Sequence, residues 1–254
     1  MALQSLFVDG LLDATAQVEE RHFWFLGLRR NARALLDRAV NSQPIGLIVD
    51  CGSGTGRNLD WLRAYGPSVG VELSPTGVRH ARAHQRRVVR GSVTHLPFPD
   101  ASADIVTSFD VFVCLDDAAE RHAVQEMWRV LKPGGVALVN TAALRILYGA
   151  HSALSNEYRR YTRPSLAKAL TGAGFTIERM TFTNMVTFPI LLAMRTFDRV
   201  SGRVNRPTTT DLSVPPAPVN LAMHAALRAE SALLSLTNLP IGSSILCIAR
   251  KPAK

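Results

Sequence analysis

The chain predicts an α/β fold built on a doubly wound parallel sheet, and three observations predict it. Short apolar runs ending in acids or glycines alternate with helical stretches of about ten to fifteen residues. One run, Leu47-Ile48-Val49-Asp50, passes straight into Cys51-Gly52-Ser53-Gly54-Thr55-Gly56, with three glycines at alternate positions. Another, Val69-Gly70-Val71-Glu72, ends in a carboxylate 22 residues after Asp50. Alternating strands and helices give right-handed βαβ units, whose sheet is covered on both faces and takes ligands beyond its carboxyl ends.

Residues 1–44 read as a helical arm carrying Glu19-Glu20-Arg21-His22-Phe23-Trp24-Phe25. That aromatic cluster either caps the core or closes over a ligand pocket. The run 47–50 reads as a buried parallel strand, because a continuous apolar stretch suits a sheet covered on both sides. Glycine follows where the chain must turn sharply and let a ligand lie on bare backbone. A helix beginning near Arg57 or Asn58 adds free N–H groups at its start, and Gly66 stops it. After the second strand, Ser74-Pro75 supplies an N-cap with proline at the first helical position.

Residues 87–91, 104–109 and 136–141 read as the third, fourth and fifth strands. Over 118–131, Val124, Met127, Trp128 and Leu131 share one helical face, which makes Trp128 a core residue. Lys132-Pro133-Gly134-Gly135 ends that helix. Thr162 and Pro164 open a further helix, Gly174 terminates it, and 175–183 reads as a sixth strand. Residues 184–242 then break the rhythm. An apolar helix over 186–200 precedes a loop over 201–218 rich in Pro, Thr and Asn, and a second helix over 219–236. A last strand spans 244–250. The core is therefore 45–183, with a helical insertion at 184–242 and a final strand and tail at 243–254. The insertion is extra core, an apolar substrate lid, a dimer surface or a membrane-surface contact.

A length of 254 residues suits one large domain, and 47% apolar residues suffice for its core. Cys51, Cys114 and Cys247 follow no metal-ligand spacing and fit a reducing compartment. The net charge of +9 is spread over scattered arginines without a basic run interleaved with aromatics, so nucleic acid is not an expected partner. No apolar run approaches the length of a membrane span, and the first residues lack the regions of a secretory leader. A cytoplasmic monomer or homodimer is expected.

These residues together resemble the class I S-adenosylmethionine-dependent methyltransferases. The matching motifs are Asp50-Cys51-Gly52-Ser53-Gly54-Thr55-Gly56, Glu72, Leu96-Pro97-Phe98-Pro99-Asp100 and Asp104-Ile105-Val106. Phe109-Asp110-Val111 and Glu126 with Arg129-Val130-Leu131-Lys132-Pro133-Gly134-Gly135 continue them. The resemblance implies a seven-stranded Rossmann-like sheet, six strands parallel and the last antiparallel. It also implies S-adenosyl-L-methionine as cofactor and S-adenosyl-L-homocysteine as product. Gly52 and Gly54 would lie under the methionine part, Glu72 would bind the ribose diol, and Leu73 would pack on adenine. Ser92 and Val93 would face the adenine edge, and Asp50, Ser53, Asn58, Ser108 and Phe109 complete that set. Relatives commonly carry Asp where Ser92 stands, so either the adenine amino group would be held more weakly here or the Val93 backbone would read it.

The flanks are similar to those of a bacterial small-molecule subgroup, with an aromatic entry and a segment like Arg159-Arg160-Tyr161-Thr162. Phe23, Trp24, Phe25 and Arg160 are the expected substrate contacts, and the apolar insertion at 184–242 favours a hydrophobic small molecule as acceptor. Methyl transfer from a sulfonium needs an in-line nucleophile and exclusion of water; a base is optional for a phenol, carboxylate or amine. His151, Glu157, Tyr161 and His22 are the candidate bases. Relatives often have His where this chain has Asn156 or Glu157. The other histidines fall on outer helix faces or loops. Asp110, Asp116 and Asp117 offer acids without a persuasive metal spacing, so a metal-free enzyme is expected. A Pro-Pro-aromatic element after the fourth strand is missing, which disfavours base methylation. A glycine spacing of G-x-G-x-G disfavours a nicotinamide cofactor. The competing reading is the same fold used as a cofactor-gated binding module or a non-methylating catalyst.

Overall fold

The computed structural model describes residues 2–40, 44–149, 152, 157–200 and 213–253. Its strands are β1 (Ile48–Cys51), β2 (Ser68–Glu72), β3 (Val88–Arg90), β4 (Ala103–Phe109), β5 (Leu131–Ala142), β6 (Thr176–Thr183) and β7 (Ser244–Arg250). They form one sheet in the order β3-β2-β1-β4-β5-β7-β6. β7 runs antiparallel to both its neighbours, and the other pairings are parallel. The chain works outward from β1 to β3, then returns to lay β4 on the other side of β1. That reversal opens a crevice beyond the carboxyl ends of β1 and β4.

The strands are short and apolar because both faces are covered. On one face Val49, Val106, Val139 and Cys247 pack with Val124 and Met127 of α5 (Asp117–Val130) and Leu166 and Leu170 of α6 (Arg163–Gly172). On the other, Ile48, Ile105, Leu138, Leu246 and Ile248 meet Leu35 and Leu36 of α2 (Phe23–Ala39), with α3 (Arg57–Leu62) and α4 (Pro75–Ala83) alongside. Ser74 caps α4 by accepting from the Thr76 and Gly77 amides, and Thr162 forms a capping box with Ser165.

β5 starts five residues earlier than the sequence suggests. Leu131 leaves α5 already paired with Ala103, and a register shift before Ile105 absorbs the Pro-Gly-Gly segment. Trp128 is partly buried against the core, with the Lys251 ammonium 3.8 Å from its ring centre. Between β6 and β7 lie α7 (Phe188–Val200) and α8 (Ala217–Leu234). α8 packs against α2 at close range: a Cβ on Gly27 would stand 2.5 Å from Leu227 Cδ1. Buried Asn31 of α2 donates to Glu230 of α8, whose carboxylate also accepts from the Asn184 and Val186 amides. Most of the loop predicted over 201–218 lies outside the described residues.

Candidate functional site

Three glycines take positive φ in the turn after β1: Gly52 at 73°, Gly54 at 55° and Gly56 at 74°. Gly52 and Ser53 donate their amides to the Val71 carbonyl at 2.8 and 3.0 Å, which ties the turn to β2. A Cβ on Gly52 would lie 2.4 Å from Val111 Cγ2, so the loop after β4 approaches bare backbone there.

Glu72 ends β2 with its carboxylate spanning two turns. Its Oε2 accepts from Gly54 N at 2.7 Å, and its Oε1 accepts from Ser74 N at 2.7 Å. Each oxygen keeps a further lone pair for a ligand hydroxyl. Leu73 follows and is 66% exposed, an apolar side chain left uncovered beside that carboxylate. Ser92 and Val93 are half-buried past β3. Ser92 Oγ lies 2.8 Å from Thr94 Oγ1 and accepts from Thr94 N at 3.2 Å.

Asp50 is buried at the end of β1, and its Oδ1 accepts from Thr107 Oγ1 at 2.6 Å. Burial, reinforced by Glu72, pushes its carboxyl up to about 7. Its Oδ2 and the hydroxyls of Ser53 and Ser108 are buried without a hydrogen-bond partner among the described residues. A glycine floor, a fixed carboxylate, an uncovered leucine and orphaned acceptors fit a cofactor with a cationic end, a sugar diol and a flat base. Asn58 and Phe109 both engage Trp61 of α3. Asn58 Oδ1 accepts from Trp61 Nε1 at 3.2 Å, and the Phe109 ring meets the indole edge-on at 6.2 Å.

α1 (Ala2–Val18) lies across this edge. Asp9 accepts from Ser74 Oγ at 2.7 Å, Asp13 meets His80 at 2.6 Å, and Leu12 stands 3.4 Å from a Cβ built on Gly54. Beyond α1, buried Glu19 accepts from Thr55 Oγ1 at 2.7 Å. The helix over the turn is therefore α1, while Phe23, Trp24 and Phe25 open α2 and are half-buried.

The other half of the crevice is charged. Asp110 follows β4 with φ at 58°, and both its oxygens accept from Asn140 Nδ2 at 3.0 Å. Burial pushes Asp110 up to about 6; Glu157 adds to the rise, and Arg160 and Asn140 oppose it. Arg160 grips Glu157 through Nε at 2.8 Å and Nη2 at 3.2 Å, and also donates to Ser152 Oγ and the Ala143 carbonyl. Two of the predicted residues, Glu157 and Arg160, are thus brought together.

Asp110, which the sequence offers within the Phe109-Asp110-Val111 motif and as an acid without a persuasive metal spacing, belongs with them. The signal that could have found it is an acid placed directly after the aromatic end of a central strand. Tyr161 goes elsewhere: it is a core residue whose hydroxyl is held by Glu120, and burial with that carboxylate keeps its proton on. His22 is buried, accepts from Trp24 N through Nδ1 at 3.2 Å and stacks on Phe23, and burial lowers its pKa. His151 lies outside the described residues. Among the described residues no group of three His, Cys, Asp or Glu could hold a metal, and no helix is long and apolar enough to cross a membrane.

A family model described as a methyltransferase domain matches residues 49–139. The chain is 33% identical over 165 residues to a probable S-adenosylmethionine-dependent methyltransferase of Mycolicibacterium smegmatis, covering 63% of this chain and 62% of that protein. It is 31% identical over 158 residues to a malonyl-[acyl-carrier protein] O-methyltransferase of Herminiimonas arsenicoxydans, covering 59% and 60%. The matched stretches thus span less than two thirds of either relative. The fold superposes on a SAM dependent methyltransferase from Archaeoglobus fulgidus with a TM-score of 0.55, at 14% identity over 88% of this chain and 94% of that one. Residues 49–139, which hold the glycine turn and the β2 carboxylate, carry a methyltransferase domain, and the sheet with its reversed seventh strand has the fold of the class I S-adenosylmethionine-dependent methyltransferases.

Proposed function

We propose that the protein transfers a methyl group from S-adenosylmethionine to a hydrophobic small-molecule acceptor. The observation that carries this reading is Glu72, fixed by the Gly54 and Ser74 amides beside an uncovered Leu73. In it, Glu72 accepts from the ribose hydroxyls, Leu73 lies on the adenine face, and Ser92 and Val93 meet the adenine edge. Asp50 and Ser108 offer unpartnered oxygens to the methionine end. α1 shields the crevice from water, which favours charge-neutralising transfer. When bound, the cofactor supplies a methyl group already activated by its sulfonium.

The acceptor lies on the Asp110 side. A carboxyl held near 6 is ionised at neutral pH yet basic enough to take a proton from a hydroxyl or amine in the transition state. Asn140 fixes its orientation, and the Arg160–Glu157 pair closes one side. Phe23, Trp24 and Phe25 supply apolar surface from α2. The support for an oxygen acceptor is the O-methyltransferase relative; the support for an apolar one is this aromatic group.

The test is formation of S-adenosylhomocysteine by the purified chain across a panel of apolar carboxylic acids, phenols and amines. Turnover with one class and its loss in Asp110→Asn supports the reading. Cofactor binding without product across the panel and with cell extract would favour a binding module instead.

A further inference from the structure

A separate cleft of about 240 Å3 lies between α2 and α3, lined by Leu26, Arg29, Arg30, Arg33, Arg57 and Trp61. Most of its lining is cationic. Buried Arg29 donates to the Glu19 carbonyl oxygen at 2.7 Å, and Arg30 reaches His224 at 3.4 Å. The Arg33 guanidinium stands 5.8 Å from the Trp61 ring centre. Among the described residues no carboxylate lies within 4.0 Å of these three arginines, whereas Arg57 pairs with Glu20 and Asp60. The nearby acids are committed elsewhere: Glu19 to Thr55, and Asp60 also to Arg86.

Burial and the like charge of Arg57 push Arg29 down to about 10, against Glu19 and Glu20, and burial with Arg228 lowers Arg30. Arg29, buried with no carboxylate paired to it, costs free energy that a bound anion would return.

We propose that this cleft binds a phosphate monoester carried on an apolar or aromatic body. Forked guanidinium donors match the oxygens of a phosphate, and a dianion offsets more of the cationic surplus than a carboxylate does. Half-buried Leu26 gives the organic body an apolar wall, with the edge of buried Trp61 at its base. The site is separate from the glycine turn but touches it, since Arg57 opens α3 directly after Gly56 and Trp61 meets Phe109. The inference does not rest on methyl transfer, so either can fail alone.

The experiment is calorimetry on the full chain at low ionic strength with phenyl phosphate, inorganic phosphate and phenol. Saturable binding of phenyl phosphate is expected at or below about 1 mM, roughly tenfold tighter than inorganic phosphate, with phenol silent. Arg30→Gln combined with Arg33→Gln should weaken it about tenfold while leaving S-adenosylhomocysteine affinity unchanged. Arg33 is exposed and Arg30 half-buried, so this pair should fold. If it does not, Arg30→Lys with Arg33→Lys carries the test: it keeps the charge, loses the fork, and should weaken binding about threefold. The proposal is overturned by no saturable heat, by variants that bind like the parent, or by phenol matching phenyl phosphate. Displacement by S-adenosylhomocysteine would overturn it too, by making the cleft part of the cofactor crevice.

Discussion

The two halves of the crevice are built from different materials. On the β1–β3 side the groups at the crevice are backbone and one carboxylate: three glycines with positive φ, and Glu72 held by two amides. On the β4–β6 side they are side chains from distant segments: Asp110, Asn140, Glu157 and Arg160. The first half is rigid because its parts are local and hydrogen-bonded to the sheet. The second is assembled by tertiary packing and holds buried charge. One half suits a ligand common to many proteins, the other a ligand particular to this one.

The largest expected effect lies on the backbone-built side. Gly52→Ala forces a Cβ to within 2.4 Å of Val111 and strains a residue at φ 73°. A loss of about 2–5 kcal/mol is expected, or roughly 5–15 °C in Tm by thermal unfolding. A variant that melts like the parent would mean the turn is soft, and the contrast between the halves would dissolve.

Glu72→Ala comes next and reads affinity. It removes the proposed diol acceptor and leaves the Gly54 and Ser74 amides without their carboxylate. Titration with S-adenosylhomocysteine should show weakening of about 10- to 100-fold, since a hydrogen bond to a charged group contributes about 1.5–3 kcal/mol. Unchanged affinity would place the cofactor elsewhere.

The same contrast explains what the sequence could and could not reveal. β1, its glycines and Glu72 are readable because strand, turn and acid are contiguous or one βαβ unit apart. The switch-point crevice follows from the alternation of strands and helices. β5 reads short in the sequence because its first residues pair through a bulge with Ala103, and Pro-Gly-Gly looks like a turn until that pairing is known. Tyr161 reads as a candidate base because it lies near the expected pocket mouth in sequence; only the fold turns its hydroxyl onto Glu120 in the core. Asp110 was undervalued for the converse reason: neither its burial nor its partner Asn140, thirty residues on, is written in local sequence.

Asp110→Asn tests the charged half through stability. The folded-state pKa of Asp110 is raised from 3.8 to about 6, so its contribution to stability is full below about pH 4 and is lost as pH rises through 6. The variant should gain little over the parent at pH 4 and about 3 kcal/mol above pH 7, read as a Tm difference that opens between those values. A gap independent of pH would show that Asp110 is ionised as easily folded as unfolded, and would remove the argument for its role as a base.

The smallest effect sharpens the backbone-built side at its outer edge. Ser92 is half-buried, and its hydroxyl is already engaged by Thr94. A neutral hydroxyl shared with a neighbour holds an adenine amino group less firmly than a carboxylate does. Ser92→Asp should therefore tighten S-adenosylhomocysteine binding about threefold, under 1 kcal/mol. The gain should vanish with an inosine-type analogue that lacks the amino group. Equal tightening with that analogue would mean the new carboxylate acts through the general field of the crevice. The adenine edge would then be read by the Val93 backbone, extending the rule that this half recognises its ligand with main chain.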